Sequence, residues 1–474
     1  MRTAIRSPVG QYLIGALINL IYVIILISNQ PSYQNIQVPE NNYSENLWKG
    51  TDVLGYVWPA QNFMDHRIFG YGSIPDYRRT IGYPLFLSAV MMIFGNHWLI
   101  FMFFIQALIF ALMYPLLSRA SRILFNTSDQ AITFAFLFFI LSGTYIAMVP
   151  MILTDTFFTV FFTLGLWSGL ESVIKRSYIY LFLHIIFIGY AAQVRPLLSL
   201  YPLIDCFILI SIAIKYDLFR YTSIYKSIVI SVISLLIICN LPSIRNYINH
   251  NFPRPTDTLS NDMFNQLAKD VLIEINKGDE YEEKRKILQG VNDLNVRAHL
   301  QEKLALNIYK DYPLITLKQT THNAIGILGR AHWSPVAHFW GYSFLNSSTP
   351  GHMSLKKSTA VYLIELFFNL VYLFVYILFL SYLVRFFRSG NIILPLTIVL
   401  FIAYFLIPGF IGRGAGSRYR LPVEGLIVIM ASCEFEHYFK VLNDKVYTVI
   451  NSIYTLLRGL IPLHLLKDVT QQGA

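Results

Sequence analysis

Acidic, basic and aromatic residues that could perform chemistry occur together early in the chain. Asp52 lies close in sequence to Tyr56 and Trp58, and Arg78 and Arg79 precede a second apolar run. A carboxylate in aromatic surroundings can accept a proton from a hydroxyl or amine. Guanidinium groups match the oxygens of a phosphate. This region therefore predicts a catalytic carboxylate, Asp52, and two phosphate-binding residues, Arg78 and Arg79.

The same residues also have structural explanations. Asp52 suits the N-cap of a helix that begins at residue 53. Arginines at a membrane surface commonly extend toward lipid headgroups. Tyr83 follows in a Gly-Tyr-Pro turn, and with Tyr56 and Trp58 it completes a predicted substrate pocket.

Further charged residues interrupt apolar sequence downstream. Asp155 separates two apolar runs, and a carboxylate so close to hydrocarbon needs a partner or a function, so we predict a catalytic role with helix capping as the alternative. Arg195 interrupts another apolar run, and phosphate binding and pairing with Asp155 explain it equally well. The remaining predicted phosphate-binding residues are Arg245, Arg418 and Arg420.

Composition indicates a membrane protein. The 474 residues are 55% hydrophobic and 14% charged, with a mean hydropathy of +0.50. The net charge of +10 is spread over short clusters, which argues against nucleic-acid binding. Three isolated cysteines in apolar runs predict no disulfide framework, and the loop histidines His332, His338 and His352 lack a zinc-site spacing. We predict no metal site. No cofactor is firmly implied, and a divalent metal ion stays an alternative that no residue pattern supports.

The apolar runs predict an all-α integral membrane protein with about ten transmembrane helices (about 9–12), since a spanning helix needs roughly 20 apolar residues. Residues 81–95 are short and predict a juxtamembrane or re-entrant segment. The predicted spans are 10–29, 97–118, 130–150, 155–174, 178–195, 197–214, 224–242, 358–384, 391–411 and 420–437.

Clusters of Lys and Arg in alternate loops predict the orientation. They place the N-terminus in the cytoplasm, the protein in the cytoplasmic (inner) membrane, and the predicted site on its outer face. The tail is predicted as an amphipathic helix on the inner leaflet rather than a coiled coil. The predicted regions are an N-terminal transmembrane module (1–242) with a catalytic outer loop (30–80), an external helical domain (243–357), C-terminal transmembrane helices (358–437) and the cytoplasmic tail (438–474).

Taken in order, these motifs resemble the C-type glycosyltransferase superfamily, in the branch that contains protein O-mannosyltransferases and the aminoarabinose transferase of lipid A. The matching segments are Asp52 with Tyr56 and Ala60, Arg79 to Leu85, Asp155, Arg195-Pro196, Arg245-Asn246-Tyr247 and Arg418 to Pro422. Two positions depart from the family pattern: Arg79-Thr80-Ile81 replaces a proline-containing triplet, and Asp155 replaces a common Glu.

The resemblance implies an inverting transferase that moves a sugar from a polyprenyl phosphate to a glycan, lipid or protein acceptor outside the membrane, including lipopolysaccharide or O-antigen. Asp52 would be the catalytic carboxylate, and Arg79, Arg195 and Arg418 would hold the lipid phosphate. The alternatives are an O-antigen polymerase and a non-enzymatic flippase or transporter of a lipid-linked glycan. A transporter predicts charged residues at mid-membrane, where the main examples are Glu171 and Asp205.

Overall fold

The protein was examined as a computed structural model, which describes residues 7–29, 51–76, 78–142, 149, 154–329, 359–389, 392–411 and 420–460. Residues 30–50 of the predicted outer loop lie outside these ranges, as do the loop histidines between 330 and 358.

Helices make up almost all of the described chain. One hairpin of two short antiparallel strands, β1 (Gly70–Tyr71) and β2 (Ile74–Pro75), is the exception. Short 3-10 segments cover Gly95–His97 and Pro196–Leu200, and a π-helical turn covers Met263–Ala268. The α-helices are α1 (Pro8–Asn29), α2 (Thr51–His66), α3 (Gly82–Phe94), α4 (Trp98–Ala111), α5 (Met113–Phe125), α6 (Asp129–Leu141), α7 (Thr154–Lys175), α8 (Tyr178–Val194), α9 (Tyr201–Lys215), α10 (Thr222–Cys239), α11 (Leu241–His250), α12 (Thr258–Asp262), α13 (Lys269–Glu274), α14 (Gly278–Gln289), α15 (Leu294–Asp311), α16 (Pro313–Gly329), α17 (Thr359–Arg388), α18 (Ile393–Ile411) and α19 (Leu421–Leu460).

Local sequence signals set several of the boundaries. Asn126 ends α5 in the left-handed conformation, which asparagine tolerates better than most residues. Ser128 caps α6 by accepting a hydrogen bond from the amide of Ala131, at 3.2 Å. Asp293 caps α15 in the same way through the amides of Asn295 and Val296.

Among the described residues, seven helical stretches are long and apolar enough to cross a membrane, which confirms an all-α integral membrane protein. Two predicted spans, 130–150 and 178–195, correspond to the shorter apolar helices Asp129–Ile140 and Tyr178–Val194. The predicted span 420–437 is the start of α19, where three glutamates lower the hydropathy. The apolar stretch Gly82–Phe125 contains α3, which at 13 residues is about 20 Å long and too short to cross alone.

The pair α7 and α8 packs closely because glycines line the contact. A Cβ atom at Gly165 would lie 2.4 Å from Ile188 Cδ1, and one at Gly169 would lie 2.7 Å from His184 Nδ1. His184 is fully buried, with Nδ1 2.8 Å from the carbonyl oxygen of Gly165 and Nε2 3.0 Å from Asp205 Oδ2. These contacts connect α7, α8 and α9 within the bundle.

The bundle has two chemically different ends. At one end, Glu171 pairs with Arg119 (Nε–Oε1 2.6 Å) and with Lys175 (Nζ–Oε2 3.2 Å), and we call this the Lys175 end. Lys215 lies at the same end and donates to the carbonyl oxygens of Ile123 and Leu124, both at 2.9 Å. The opposite end contains the N-terminus of α7, and we call it the Asp155 end.

Residues 241–329 form a helical unit with its own small core. The unit connects to the bundle through α16, where Asn323 Nδ2 donates to the carbonyl oxygen of Phe410 at 3.0 Å. Its buried apolar core consists of Phe264, Ala268, Val271, Leu272, Tyr281, Leu288, Ala305 and Ile308.

A buried ion pair joins α16, α17 and α19. Arg420 Nε lies 2.9 Å from Glu424 Oε2, and both side chains are almost completely buried. The guanidinium of Arg420 also donates to the carbonyl oxygen of Ile327 at 2.9 Å and lies 4.2 Å from the centre of the Tyr372 ring. Tyr372 in turn donates to Glu424 Oε1 at 2.5 Å. Arg420 therefore holds these helices together.

We expect Glu424→Gln to destabilise the protein strongly. The amide keeps most of the hydrogen-bonding atoms, but the buried guanidinium of Arg420 loses its counter-charge, which costs about 3–5 kcal/mol when one partner of a buried pair is removed. Thermal unfolding of the purified protein in detergent measures the effect. Glu282→Gln is the control, because Glu282 pairs with Arg285 at the surface, where its side chain is 52% exposed. Equal shifts in Tm for the two variants would contradict the structural role of Arg420.

Candidate active site

The turn that carries Arg78 and Arg79, which we call the arginine turn, is fixed by Asp76. Asp76 Oδ1 accepts a hydrogen bond from the backbone amide of Arg78 at 2.8 Å. The amide of Asp76 donates to the carbonyl oxygen of Phe69 at 3.0 Å, next to the β1–β2 hairpin. A side chain that accepts from the amide two residues later is a common way to set a turn. Asp76 therefore positions the backbone of both arginines.

Arg79 packs against the first half of α2. Its guanidinium carbon lies 4.4 Å from the centre of the Tyr56 ring, a cation–π contact. A Cβ atom at Gly55 would lie 2.2 Å from Arg79 Nε, so the close approach depends on glycine at that position. The flat face of the guanidinium stacks on the Tyr56 ring, and its N–H groups lie in the guanidinium plane. The contact thus fixes the direction in which these N–H groups can donate to an oxyanion.

The helical unit holds the same turn from the other side. Arg245 Nη2 donates to the carbonyl oxygen of Arg79 at 3.0 Å and to Asn246 Oδ1 at 2.8 Å. Asn246 is buried and donates to the carbonyl oxygens of Arg254 (2.9 Å) and Pro255 (3.1 Å). Arg245 and Asn246 therefore connect the start of the helical unit to the arginine turn.

Exposed contacts reinforce this connection. Arg78 Nε lies 3.6 Å from Asp257 Oδ2, with 62% of the Arg78 side chain exposed. Thr256 Oγ1 donates to the carbonyl oxygen of Arg78 at 3.0 Å. Arg78 lies at the edge of the cluster and faces solvent.

Asp155 and Arg195 form an ion pair at the Asp155 end of the bundle. Arg195 Nη1 lies 2.6 Å from Asp155 Oδ1; the Asp155 side chain is fully buried and 14% of the Arg195 side chain is exposed. Asp155 lies in the first turn of α7, where the helix dipole favours a negative charge. Arg195 follows the last residue of α8. The sequence allowed either anion binding or this pairing for Arg195, and the structure shows the pairing.

The arginine turn lies against the backbone at the end of α8. Thr80 Oγ1 donates to the carbonyl oxygen of Val194 at 2.9 Å. A Cβ atom at Gly82 would lie 2.5 Å from the carbonyl oxygen of Gln193, so only glycine permits this approach. Arg195 is the next residue after Val194, and the turn is therefore fixed beside the Asp155–Arg195 pair.

Tyrosines join these segments. The hydroxyl of Tyr56 lies 3.5 Å from Thr154 Oγ1, one residue before Asp155. The rings of Tyr56 and Tyr83 meet edge to face with centroids 5.4 Å apart. Tyr83 is completely buried, and its hydroxyl donates to Gln106 Oε1 at 3.2 Å. Tyr83 supports Tyr56 from within the bundle, which corrects its predicted place on the pocket wall.

The structure brings together most of the predicted residues, but not all of them. Trp58 is 40% exposed and lies about 200° around α2 from Tyr56, so the two do not form one wall. Arg420 is completely buried and pairs with Glu424, which corrects its predicted place among the phosphate-binding residues. Asp52 lies in the first turn of α2, but its side chain and the whole of Arg418 are outside the described part of the structure.

Three contributing residues were not singled out from the sequence. Asp76 could have been found from its position two residues before an arginine pair, which is typical of a side-chain-capped turn. Asn246 lies inside a matching motif, but its burial gives no sequence signal of its own. Thr80 gives no sequence signal of its own, and its hydroxyl binds the carbonyl oxygen of Val194. In the described ranges, no group of three or more His, Cys, Asp or Glu side chains is placed to hold a metal ion.

Comparisons with known proteins gave structural neighbours only. No family model and no curated protein matches the chain. The Archaeoglobus fulgidus oligosaccharyltransferase is similar to it in the apo form (TM-score 0.49, 12% identity, 94% of this chain and 52% of that chain). Its complex with Zn and sulfate gives a TM-score of 0.46 at 12% identity, covering 92% and 51% of the two chains. The form tethered to an acceptor peptide containing the NVT sequon also gives a TM-score of 0.46 at 12% identity, covering 90% of this chain and 49% of that chain. The chain spans about half the length of these neighbours.

We expect Asp76→Asn to stabilise the protein near neutral pH by a few degrees in Tm. Burial raises the pKa of Asp76 above its usual 3.8, although the Arg78 amide and the charges of Arg79 and Arg245 oppose this. The folded state therefore favours the neutral carboxyl. The free energy of unfolding includes this contribution in full below pH 3.8 and loses it as the pH rises through the raised pKa of the folded state. Asparagine stays neutral and can still accept from the amide of Arg78.

Thermal unfolding of wild type and Asp76→Asn at several pH values measures this difference, which should shrink toward acid pH. Asp76→Ala is the control for the turn, because it also removes the acceptor for the Arg78 amide and should lower Tm. A neutral-pH Tm for Asp76→Asn at or below that of wild type would refute the expected effect of the charge.

Proposed function

We propose that this protein is a membrane glycosyltransferase that moves a sugar from a polyprenyl-phosphate donor to an acceptor. The observation that carries the proposal is that Arg79 and the Asp155–Arg195 pair lie beside Tyr56 at one end of the bundle, with Arg245 holding the backbone of Arg79. These residues come from distant parts of the sequence and belong to the motifs that resemble C-type glycosyltransferases. A phosphate at a membrane surface is the ligand that such an arrangement of guanidinium groups fits best.

Arg79 is the main donor phosphate-binding residue in this proposal. Its backbone is held by Arg245, and its guanidinium is oriented by stacking on Tyr56. A side chain that is fixed before the ligand arrives loses less entropy on binding than a free one. Arg79 would therefore bind the lipid phosphate with its in-plane N–H groups.

Arg195 is the second cation of the site. Its partner Asp155 fixes the position of one edge of the guanidinium, so we assign Asp155 a positioning role. As the bond between the sugar and the phosphate breaks, negative charge grows on the phosphate oxygens. Fixed guanidinium groups stabilise that charge more in the transition state than in the bound donor, which is the requirement for catalysis.

Asp52 is the proposed general base. Positions 52, 55 and 56 of α2 lie on one face, since residues three and four apart are neighbours on a helix. That face is the one on which Arg79 packs. Asp52 would take the proton from the acceptor hydroxyl or amine while the acceptor atom bonds to the anomeric carbon. The carbon–oxygen bond to the phosphate breaks in the same step, the configuration inverts, and polyprenyl phosphate leaves.

The charge bias of the loops supports a site on the outer face of the cytoplasmic membrane. A surface glycan, lipid A or a protein would then be the acceptor. A panel of donors with different sugars identifies the sugar that the site accepts.

A transporter is less well supported. Its expected signature was charged residues at mid-membrane, and the two examples in the sequence have structural partners. Glu171 pairs with Arg119 and Lys175 at the Lys175 end. Asp205 accepts hydrogen bonds from Tyr201 and Ser231, at 3.2 and 3.1 Å, and lies beside His184.

We expect Asp52→Asn to reduce sugar transfer by about 10²–10⁴-fold, the usual contribution of a positioned general base. Purified protein is incubated with a panel of synthetic polyprenyl-phosphate monosaccharides and an extract of cell-envelope acceptors, and mass spectrometry follows donor consumption. Binding of the donor should be largely kept, because Asp52 acts on the acceptor. Wild-type activity in the variant would exclude Asp52 as the base. If wild type consumes no donor of the panel, the polymerase and transporter hypotheses gain.

We expect Gly55→Ala to weaken donor binding while the protein stays folded. The added methyl group displaces the guanidinium of Arg79, a flexible group that can move without disturbing the backbone. Loss of a charge-assisted hydrogen bond predicts a KM for the donor about 10–100-fold higher. Gly278→Ala is the matched control, because a Cβ atom there would meet nothing within 4 Å. An unchanged KM in Gly55→Ala would remove Arg79 from the donor site.

A further inference from the structure

The short helix α11 begins where α10 reaches the Asp155 end of the bundle. Pro242 lies in the first turn of α11, and a proline ring clashes with the carbonyl group four residues earlier, here that of Ile238. The carbonyl oxygen of Ile238 accepts a hydrogen bond from Gln193 Nε2 at 3.2 Å, close to the end of α8. Asn240, between the two helices, donates through Nδ2 to the carbonyl oxygen of Ser199 at 3.4 Å. Pro242 therefore interrupts the course of α10 at this level.

One side of α11 is attached to the arginine turn and to the hairpin beside it. Arg245 Nη2 donates to the carbonyl oxygen of Arg79 at 3.0 Å, and the buried Asn246 holds the loop that follows α11. His250 Nε2 lies 2.9 Å from the carbonyl oxygen of Pro75 in β2. A shift of α11 would therefore move the turn that carries Arg79.

The other side of α11 presents exposed apolar side chains. Leu241 is 42% exposed, Ile244 47% and Ile248 74%. Spacings of three and four residues place all three on one face of the helix. Tyr247 lies next to them and is also exposed, and tyrosine is enriched at the boundary between lipid and water. This face is suited to contact with lipid rather than with water.

The apolar face of α11 continues the lipid-facing side of α10. Ile230, Ile233 and Ile237 of α10 are exposed, and both helices belong to the apolar stretch Thr222–His250, which is long enough to cross a membrane. The 18 residues of α10 are about 27 Å long, which nearly equals the hydrocarbon thickness of about 30 Å. The rest of the stretch, α11, thus lies where the hydrocarbon ends and the headgroups begin. Amphipathic helices at this level bury their apolar face about 5–10 Å into the leaflet.

We propose that α11 is a membrane-surface helix: Leu241, Ile244 and Ile248 insert into the leaflet at the Asp155 end of the bundle, and Arg245 on the protein side holds the arginine turn at the level of the lipid headgroups. The bilayer itself covers the apolar face of α11. The turn is in this way kept at the depth where the phosphate groups of lipids lie.

Quenching by brominated lipid tests the contact. In the full-length protein with the three native cysteines replaced by alanine, single cysteines at Ile244 and Ile248 carry a bimane label, and the protein is reconstituted in phosphatidylcholine brominated on the upper part of its acyl chains. Ile233 in α10 is the lipid-exposed reference, and Ile287 in α14, 60% exposed, is the control in the helical unit. Quenching at Ile244 and Ile248 should reach about half or more of that at Ile233, because an interfacial helix places its apolar face among the acyl chains.

The control decides the outcome of this measurement. Ile287 should show little quenching, and labelled proteins that keep the Tm of the unlabelled protein are compared. Quenching at Ile244 and Ile248 no stronger than at Ile287 would overturn the proposal, because another segment of the chain or a second protein would then cover α11.

Hydrogen–deuterium exchange tests the link between α11 and the arginine turn. The double variant Ile244→Ser and Ile248→Ser loses apolar contact with the leaflet, so α11 should loosen and the backbone amides of residues 76–85 should exchange about tenfold faster. Ile287→Ser is the matched control and should leave this exchange unchanged. Unchanged exchange in the double variant would also overturn the proposal, and neither measurement depends on sugar transfer.

Discussion

The buried ion pair between Asp155 and Arg195 is the interaction on which the arrangement of the candidate site depends. It joins the start of α7 to the end of α8 at 2.6 Å, within the closely packed helix pair of the bundle. Removing two charges from water is costly unless the pair is well aligned and further hydrogen bonds are made. The pair therefore indicates a fixed geometry rather than extra stability. The arginine turn binds Val194, next to Arg195, and Tyr56 contacts Thr154, next to Asp155.

Arg195 and Arg420 are two arginines at helix boundaries whose surroundings differ. Each lies next to the end of a helix, and each pairs with a carboxylate. Arg420 is completely buried, and its partner Glu424 lies one turn later on the same helix, with carbonyl oxygens of α16 completing its surroundings. Arg195 keeps 14% of its side chain exposed. The two arginines therefore differ in exposure, as the phosphate-binding role proposed for Arg195 requires.

Much of the fold was predictable, because apolar runs separated by charged clusters determine where helices cross a membrane. The pairing of Arg195 with Asp155 was foreseen as one of two explanations. The burial of Arg420 and Tyr83 was not predicted. Burial depends on which helices pack together, and the residue spacing within one segment does not indicate its packing partners. Asp76 was overlooked for a similar reason, since its importance follows from the helical unit and the hairpin that surround it. The composition of the sequence also did not predict that α19 continues as one helix past residue 438.

The arginine turn is held almost entirely through its backbone. Arg245 binds the carbonyl oxygen of Arg79, Thr256 binds that of Arg78, and the amide of Arg78 is bound by Asp76. These bonds hold the backbone of Arg79, and the stacking of its guanidinium on Tyr56 fixes the direction of the side chain. Arg245 and Thr256 belong to the helical unit, whereas Thr80 binds the carbonyl oxygen of Val194 in the bundle, so a displacement of either body moves the turn. The two bodies must therefore stay in register for the site to keep its shape.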